Sequence, residues 1–241
     1  MSDNDSIMEA IRERLTLGRL AMLGKLSALV AHEFNNILTP LAGYSELALY
    51  GKTEEKDEAL RMTMTSTERA GKLVQALMAA GGRDTSGPQP NDPVELVNNA
   101  TFLLSKLTGK KNVEVMVEWK ELWPATFDFS LMSLALLNIL WTILSYLPDG
   151  GRIRIDGESS EKKGMKLTIS DNAAALDEET RWSLIQAWVV PGRPVPGKPG
   201  QFEDAIGLRF AGAAAMVHGG SFDLVSDRAG NRYVLSLQGE G

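Results

Sequence analysis

The chain has 241 residues, 44% of them apolar, and a formal charge of −6, enough for one large or two small packed domains rather than a disordered chain. There is no cysteine and there are only two, distant, histidines, which excludes disulfides and thiol chemistry and makes a zinc cluster an unexpected feature. The acidic balance argues against nucleic acid as the main partner, no stretch approaches the ~20 apolar residues of a membrane span, and the polar start MSDNDSIMEA does not read as a secretory signal; a cytoplasmic protein with no membrane partner is expected.

The first predicted element is a lead-in helix capped by Asp5 or Ser6, with apolar residues at Ile7, Ile11, Leu15 and Leu17. It runs near Gly24 into a second helical stretch, LSALVAHEFNNILTPLAGYSELAL, where Leu26, Val30, Ile37, Leu41, Tyr44 and Leu47 recur at helical spacing. His32 and Asn36 lie four apart on a face offset from that stripe, so they should meet water. Pro40 removes one helical hydrogen bond and should bend the helix. Gly51 ends it, and Thr53 is the expected cap of the next helix, with Glu54 and Glu55 at its positive end. In that helix Leu60, Met64, Thr67, Gly71, Val74 and Leu77 or Met78 are the expected buried stripe, and Gly81–Gly82 stop it. A short connection makes the pair an antiparallel hairpin. Its apolar face is too wide for one hairpin to bury, so two are expected to pair as a homodimeric four-helix bundle.

Residues 83–92, RDTSGPQPND, read as a linker between a helical domain at 1–82 and a second domain at 93–241. The second domain alternates helices and strands. PVELVNNATFLLSKL is an amphipathic helix, NVEVMVEW a strand, and TFDFS a short strand or turn. LMSLALLNILWTILSYL is a helix apolar enough to be buried on most sides. RIRIDGE and MKLTISD are strands, ETRWSLIQAWV is helical, PGRPVPGKPG is irregular, IGLRFAGAAAMVHGG is a helix, and SFDLVSDRAGNRYVLSLQ is a hairpin turning at Ala229–Gly230–Asn231. The fold class is therefore α+β in two domains, a helical hairpin followed by an α/β sandwich. His218, at a helix end before two glycines, reads as a capping residue. Trp119, Trp123, Trp141, Trp182 and Trp188 read as packing residues, and Lys110–Lys111 and Lys162–Lys163 as solvated loop charges.

HEFNN, then TPL, then GYSEL, resembles the phosphoacceptor box of two-component sensor histidine kinases. The resemblance implies His32 as the residue that carries a phosphoryl group, Glu33 as the acid that assists its transfer, and Asn36 as the residue that positions water or the partner. The chemistry fits the residue type. Imidazole offers a free ring nitrogen near neutral pH, and phosphoryl transfer asks mainly for positioning and charge neutralisation. Glu33, adjacent on the helix, does not face His32 directly. Lys25 and Arg69 or Lys72 are candidate flanking charges, and Arg69, Gly71 and Lys72 should lie at the level of His32.

The order of elements from Pro93 to Gln238 resembles the ATP-binding domain of the same kinases, yet the nucleotide boxes depart from the family pattern. Asn138 matches the first asparagine of the first box, but Thr142 stands where the magnesium-holding asparagine belongs. Asp171 matches the adenine-reading aspartate, but Ala173 and Ala175 replace the glycines that let backbone approach the nucleotide. The phosphate-cradling glycine box reads Glu203, Asp204, Ala205, Ile206, Gly207, with only Gly207 matching and two carboxylates where polyphosphate would come. An intact phosphoacceptor box beside degenerate nucleotide positions resembles the ChpT-like histidine phosphotransferases, dimeric carriers that look like degenerate kinases. That resemblance implies a phosphorelay carrier between receiver-domain aspartates of response regulators, one of which can belong to a hybrid histidine kinase. It implies no cofactor or metal bound by the chain, with magnesium brought by the receiver. About thirty residues precede His32, so the chain, if whole, is expected to have no sensor of its own, the alternative being a piece of a longer protein. Two other readings remain: an active ATP-dependent kinase core with a divergent nucleotide site, and a non-catalytic pseudokinase scaffold that docks response regulators.

Overall fold

The computed structural model describes residues 3–81, 87–160, 164–181 and 205–239. Helix α1 spans Asp3–Tyr50 and α2 spans Thr53–Gly81. The expected lead-in helix and histidine helix are thus one continuous element, and it stays helical through Pro40. Proline inside a helix costs about 3 kcal/mol. Here the packing of Met22, Leu26, Val30 and Ile37, all buried, holds the flanking turns in place. In the connection, the Gly51 N–H donates to the Leu47 carbonyl at 2.8 Å, and a Cβ at Gly51 would come within 2.5 Å of that oxygen. The cap of α2 is Lys52 rather than Thr53. The Lys52 carbonyl accepts from Lys56, and the Glu55 carboxylate accepts from the Lys52 N–H at 2.9 Å, the returning half of a capping box.

In the single chain α2 presents two distinct faces. The residues it turns toward the rest of the chain are three alanines and one leucine: Ala59, Ala76, Ala80 and Leu73. The larger residues of the expected stripe, Leu60, Met64, Val74 and Met78, are exposed. Alanines allow close helix approach, so the inner face is chosen by shape and the bulkier face is left outward.

A two-stranded ribbon joins the hairpin to the rest. Strand β1, Gln89–Asn91, pairs antiparallel with β3, Ala125–Phe127, so part of the expected linker is a strand. Pro90 hides it from period reading. Asn91 secures it by donating its side-chain N–H to the Phe127 carbonyl at 2.7 Å. Helix α3, Pro93–Lys110, begins at Asp92, whose carboxylate accepts from Val94 N–H, with Pro93 in the first turn. Helix α4, Phe129–Tyr146, is capped in the same way by Asp128. It is long and apolar enough to cross a membrane, but it is mostly buried inside the fold.

The main sheet has five strands in the order β2 (Glu114–Glu121), β4 (Arg152–Ser160), β5 (Gly164–Asp171), β7 (Gly230–Leu237), β6 (Ser221–Asp227). β2 and β4 run parallel and the other pairs antiparallel. Alternate residues point to one face. Ile155, Ile169 and Tyr233 fall in register and are fully buried beneath the helices. The other face carries charge, with Arg154 bridging Glu118 and Asp156. The β6–β7 turn is at residues 228–229, because Asp227 already pairs with Gly230. Helix α5, Ala205–Val217, packs on α4.

One core runs from the hairpin into the sandwich: Met22, Leu26, Val30, Leu73, Ala76 and Ala80 belong to the same cluster as α3, α4 and α5. Polar ties reinforce it. Arg19 donates to the Ser130 hydroxyl at 2.8 Å, Ser130 donates to the Ala80 carbonyl at 3.2 Å, and Lys25 Nζ sits 5.7 Å over the Trp141 ring. Gly18 meets Phe210 so closely that a Cβ would lie 2.6 Å from its ring. His218 clamps two helix ends. Its Nδ1 lies 2.7 Å from the Ala214 carbonyl, and its Nε2 accepts from the Asp128 N–H at 2.9 Å, so the ring is neutral with the proton on Nδ1. Trp119 and Trp141 are half-buried against the core and Trp123 is half-exposed. The stretch 182–204, with Trp182, Trp188 and the expected irregular segment, lies outside the described residues, as do Lys162 and Lys163.

Candidate functional site

His32 stands on α1 with its ring exposed, as the helical spacing predicts. Three helices converge on it. Glu33 pairs with Arg69 of α2, its own side chain only 13% exposed. The Asn36 amide, one turn further along α1, lies 3.4 Å from the other Glu33 oxygen. The residue at the ring itself is Lys106 of α3, its Nζ 2.5 Å from Nδ1 and 3.2 Å from Nε2. Beneath them is an apolar seam of Leu29, Val30, Leu73, Phe102 and Leu103.

The structure brings His32, Glu33 and Asn36 together, and it places Arg69 at their level as the hairpin register predicts. Lys25 is elsewhere, over Trp141. Lys72 lines an open groove with Asp92, Glu95 and Asn98. Lys106 was not foreseen. It is 74 residues from His32 in sequence, and only the packing of α3 against α1 brings it there. Chemically, the cluster is an exposed ring nucleophile with one carboxylate and two cations around it, suited to a group that arrives with negative charge.

Residues 22–81 match the His Kinase A (phospho-acceptor) domain family. A hairpin matching this phospho-acceptor family is thus followed by an α/β domain. It is 26% identical over 140 residues to the sensor kinase CckA of Brucella abortus, covering 57% of this chain and 15% of that protein. It is 29% identical over 179 residues to the signal transduction histidine-protein kinase AtoS of Escherichia coli, covering 73% and 29%. The chain therefore spans less than a third of the length of either relative. In fold, the nucleotide-free catalytic domain of histidine kinase ThkA superposes with a TM-score of 0.53 at 16% identity, over 63% of this chain and 96% of that one.

The positions that the sequence resemblance matches to nucleotide boxes are engaged in packing. Asn138 is buried on α4, and its amide donates to the Leu134 carbonyl at 2.8 Å. Its Oδ1 would lie 2.7 Å from a Cβ at Gly207. Gly207 thus lets α5 approach α4. The Thr142 hydroxyl is buried and donates to the Asn138 carbonyl at 2.8 Å. Asp171 is buried, and three protein donors fill it: the Tyr146 hydroxyl, Ala173 N–H at 2.9 Å and the Asn231 amide at 3.0 Å. Tyr146 also contacts the Tyr233 hydroxyl at 2.5 Å. Burial, with Asp171 and Tyr233 beside it, pushes the Tyr146 phenol far above its ordinary range, and burial does the same to Tyr233. Tyr146 was legible in principle, because Asn138, Thr142 and Tyr146 are four apart and share one face of α4. Ala173 and Ala175 adopt no left-handed backbone; the only non-glycine residue with positive φ among those described is Asn112. A cleft of about 400 Å³ remains beside them, lined by Tyr146, Pro148, Ala173, Leu176 and Thr180. Glu203 and Asp204 lie outside the described residues. Among the described residues, no group of three or more acidic or histidine side chains is placed to hold a metal.

Proposed function

We propose that this chain is a histidine phosphotransferase of a two-component phosphorelay. It takes a phosphoryl group from a receiver-domain aspartate onto His32 and passes it to the aspartate of a second receiver. The observation that carries this reading is the contrast between two sites: the His32 ring is exposed among cations, while the Asp171 carboxylate is buried and already accepts from Tyr146, Ala173 and Asn231. A carboxylate already accepting from three protein donors has little left for an adenine amino group. Glu33, braced by Arg69, and Asn36 flank the transfer, and the receiver supplies the magnesium. The cleft beside Ala173 is the feature that favours the rival reading, an ATP-dependent kinase with a divergent site. The relay is tested by loading one receiver with labelled phosphate, adding the chain, and following label to His32 and then to a second receiver. Label that never reaches the chain from any receiver of the same genome would refute it.

The working form is a homodimer. The exposed residues Leu60, Met64, Val74 and Met78 of α2, with Leu38 and Leu47 of α1, give the hairpin an outward apolar face, and pairing two hairpins buries it. Sedimentation is expected to give about twice the 26.2 kDa chain mass. Met64→Glu, which places a charge in that face, is expected to shift the protein to monomer without lowering helix content. A wild-type monomer at micromolar concentration would contradict the assignment of this face.

A further inference from the structure

The His32 ring touches a residue from outside the hairpin. Phe102 and Lys106 are one turn apart on α3 and so share a face. Phe102 packs into the seam with Leu29, Val30 and Leu73, and this contact fixes where Lys106 emerges. Its Nζ then stands within reach of both ring nitrogens. Arg69, the other cation at this level, is neutralised by Glu33. Lys106 forms no ion pair with a carboxylate among the described residues. An ammonium only donates, so the ring nitrogen nearest to it presents a lone pair. A neutral imidazole compensates a full positive charge poorly, and an ordered lysine gives up rotamer freedom. A phosphoryl group on the ring would supply the missing negative charge at that spot.

We propose that Lys106 is the cation that receives the phosphoryl group on His32, so that the second domain, through α3, completes the phosphoacceptor site. The proposal rests on the phosphotransfer reading given above. In the step, the lone pair of a ring nitrogen attacks phosphorus. The N–P bond forms as the P–O bond of the aspartyl phosphate breaks, and the aspartate leaves as a carboxylate. Lys106 gives up the ring lone pair and turns to the phosphoryl oxygens, whose charge it neutralises. The sandwich domain then has a chemical task that needs no nucleotide: it carries the platform from which Lys106 reaches the ring.

The test uses the full chain and two phosphoryl donors, phosphoramidate and a phosphorylated receiver. Wild type is compared with Lys106→Ala, Lys106→Arg and a remote control, Lys120→Ala. Loading of His32 is expected to slow about tenfold in Lys106→Ala, less than the 10²–10³ of an enclosed charge-stabilising donor because this site is open to water. Lys106→Arg restores most of the rate, and Lys120→Ala matches wild type. Lys106 is half-buried, so melting temperature is recorded for every variant, and Lys106→Arg, which keeps an aliphatic stem, separates loss of the charge from loss of packing. Nitrogen NMR of the His32 ring supplies a readout that packing alone would not move: the signals of its two nitrogens shift in Lys106→Ala and not in Lys120→Ala. Wild-type loading rates and ring signals in Lys106→Ala overturn the proposal while leaving the phosphotransfer reading intact. Failure of wild type to load at His32 from either donor overturns both.

Discussion

His32→Ala is expected to abolish phosphoryl transfer, by roughly 10⁴-fold or more, while leaving the fold untouched. The two halves of this result have separate causes. The nucleophile is lost outright, and neither Glu33 nor Asn36 replaces a ring nitrogen. Glu33 is held by Arg69, and an amide is a poor nucleophile. The fold is spared because the His32 side chain is exposed and its contact with the half-buried Lys106 lies at the surface. Substitutions at such positions stay within about 0.5 kcal/mol. Dimer mass and melting temperature therefore serve as controls. Transfer that persists in His32→Ala would move the phosphoacceptor elsewhere. His218 is a poor substitute, because both of its nitrogens are engaged in clamping α5 to α4.

Asp171→Ala is expected to produce the opposite pattern, a large loss of stability. The substitution removes the acceptor of the Tyr146 hydroxyl, the Ala173 N–H and the Asn231 amide; Tyr146 keeps the Tyr233 hydroxyl and Asn231 the Ala174 carbonyl, and the Ala173 N–H is stranded. One stranded donor costs about 1–3 kcal/mol and each of the two lost bonds about 1 kcal/mol, so the total is about 3 kcal/mol, a drop of roughly 6–12 °C in melting temperature for a chain of this size. Asp171→Asn retains one acceptor oxygen and should lose less. If Asp171 served adenine instead, the alanine variant would melt like wild type and show its defect only in nucleotide binding. The phenols of this network add a pH signature. Tyr146 and Tyr233 are pushed above their ordinary value of 10.0 in the folded state. Their contribution to stability is thus complete below about pH 10. It is lost as pH rises beyond that, where the unfolded chain ionises and the folded chain does not. Tyr146→Phe, tracked by thermal melts across this range, should flatten that decline.

Much of the architecture is legible in the residues. Helical spacing through Leu26, Val30 and Ile37 gives α1, and alternation gives β2, β4, β5, β6 and β7. The HEFNN run places His32, Glu33 and Asn36 within one turn of each other. What escapes reading has physical reasons. β1 carries Pro90 and is too short to show a period. On α2 the larger apolar residues mark one face, but the alanines that line the contact within the chain leave no such signal, because they act by permitting close approach. Asp171 looks like the surviving part of a nucleotide box, and only the fold shows that Tyr146 and Asn231 have filled it. Lys106 leaves no local trace, since its role arises from packing between elements far apart in sequence.

The central claim is that His32 is loaded from a receiver and not from ATP, and one comparison tests it directly. The chain is incubated in parallel with labelled ATP and magnesium and with a labelled phospho-receiver, and acid-labile label on the chain is followed, with His32→Ala as the blank. The account predicts rapid loading of wild type from the receiver and none above the blank from ATP. Robust loading from ATP in the absence of any receiver would contradict it.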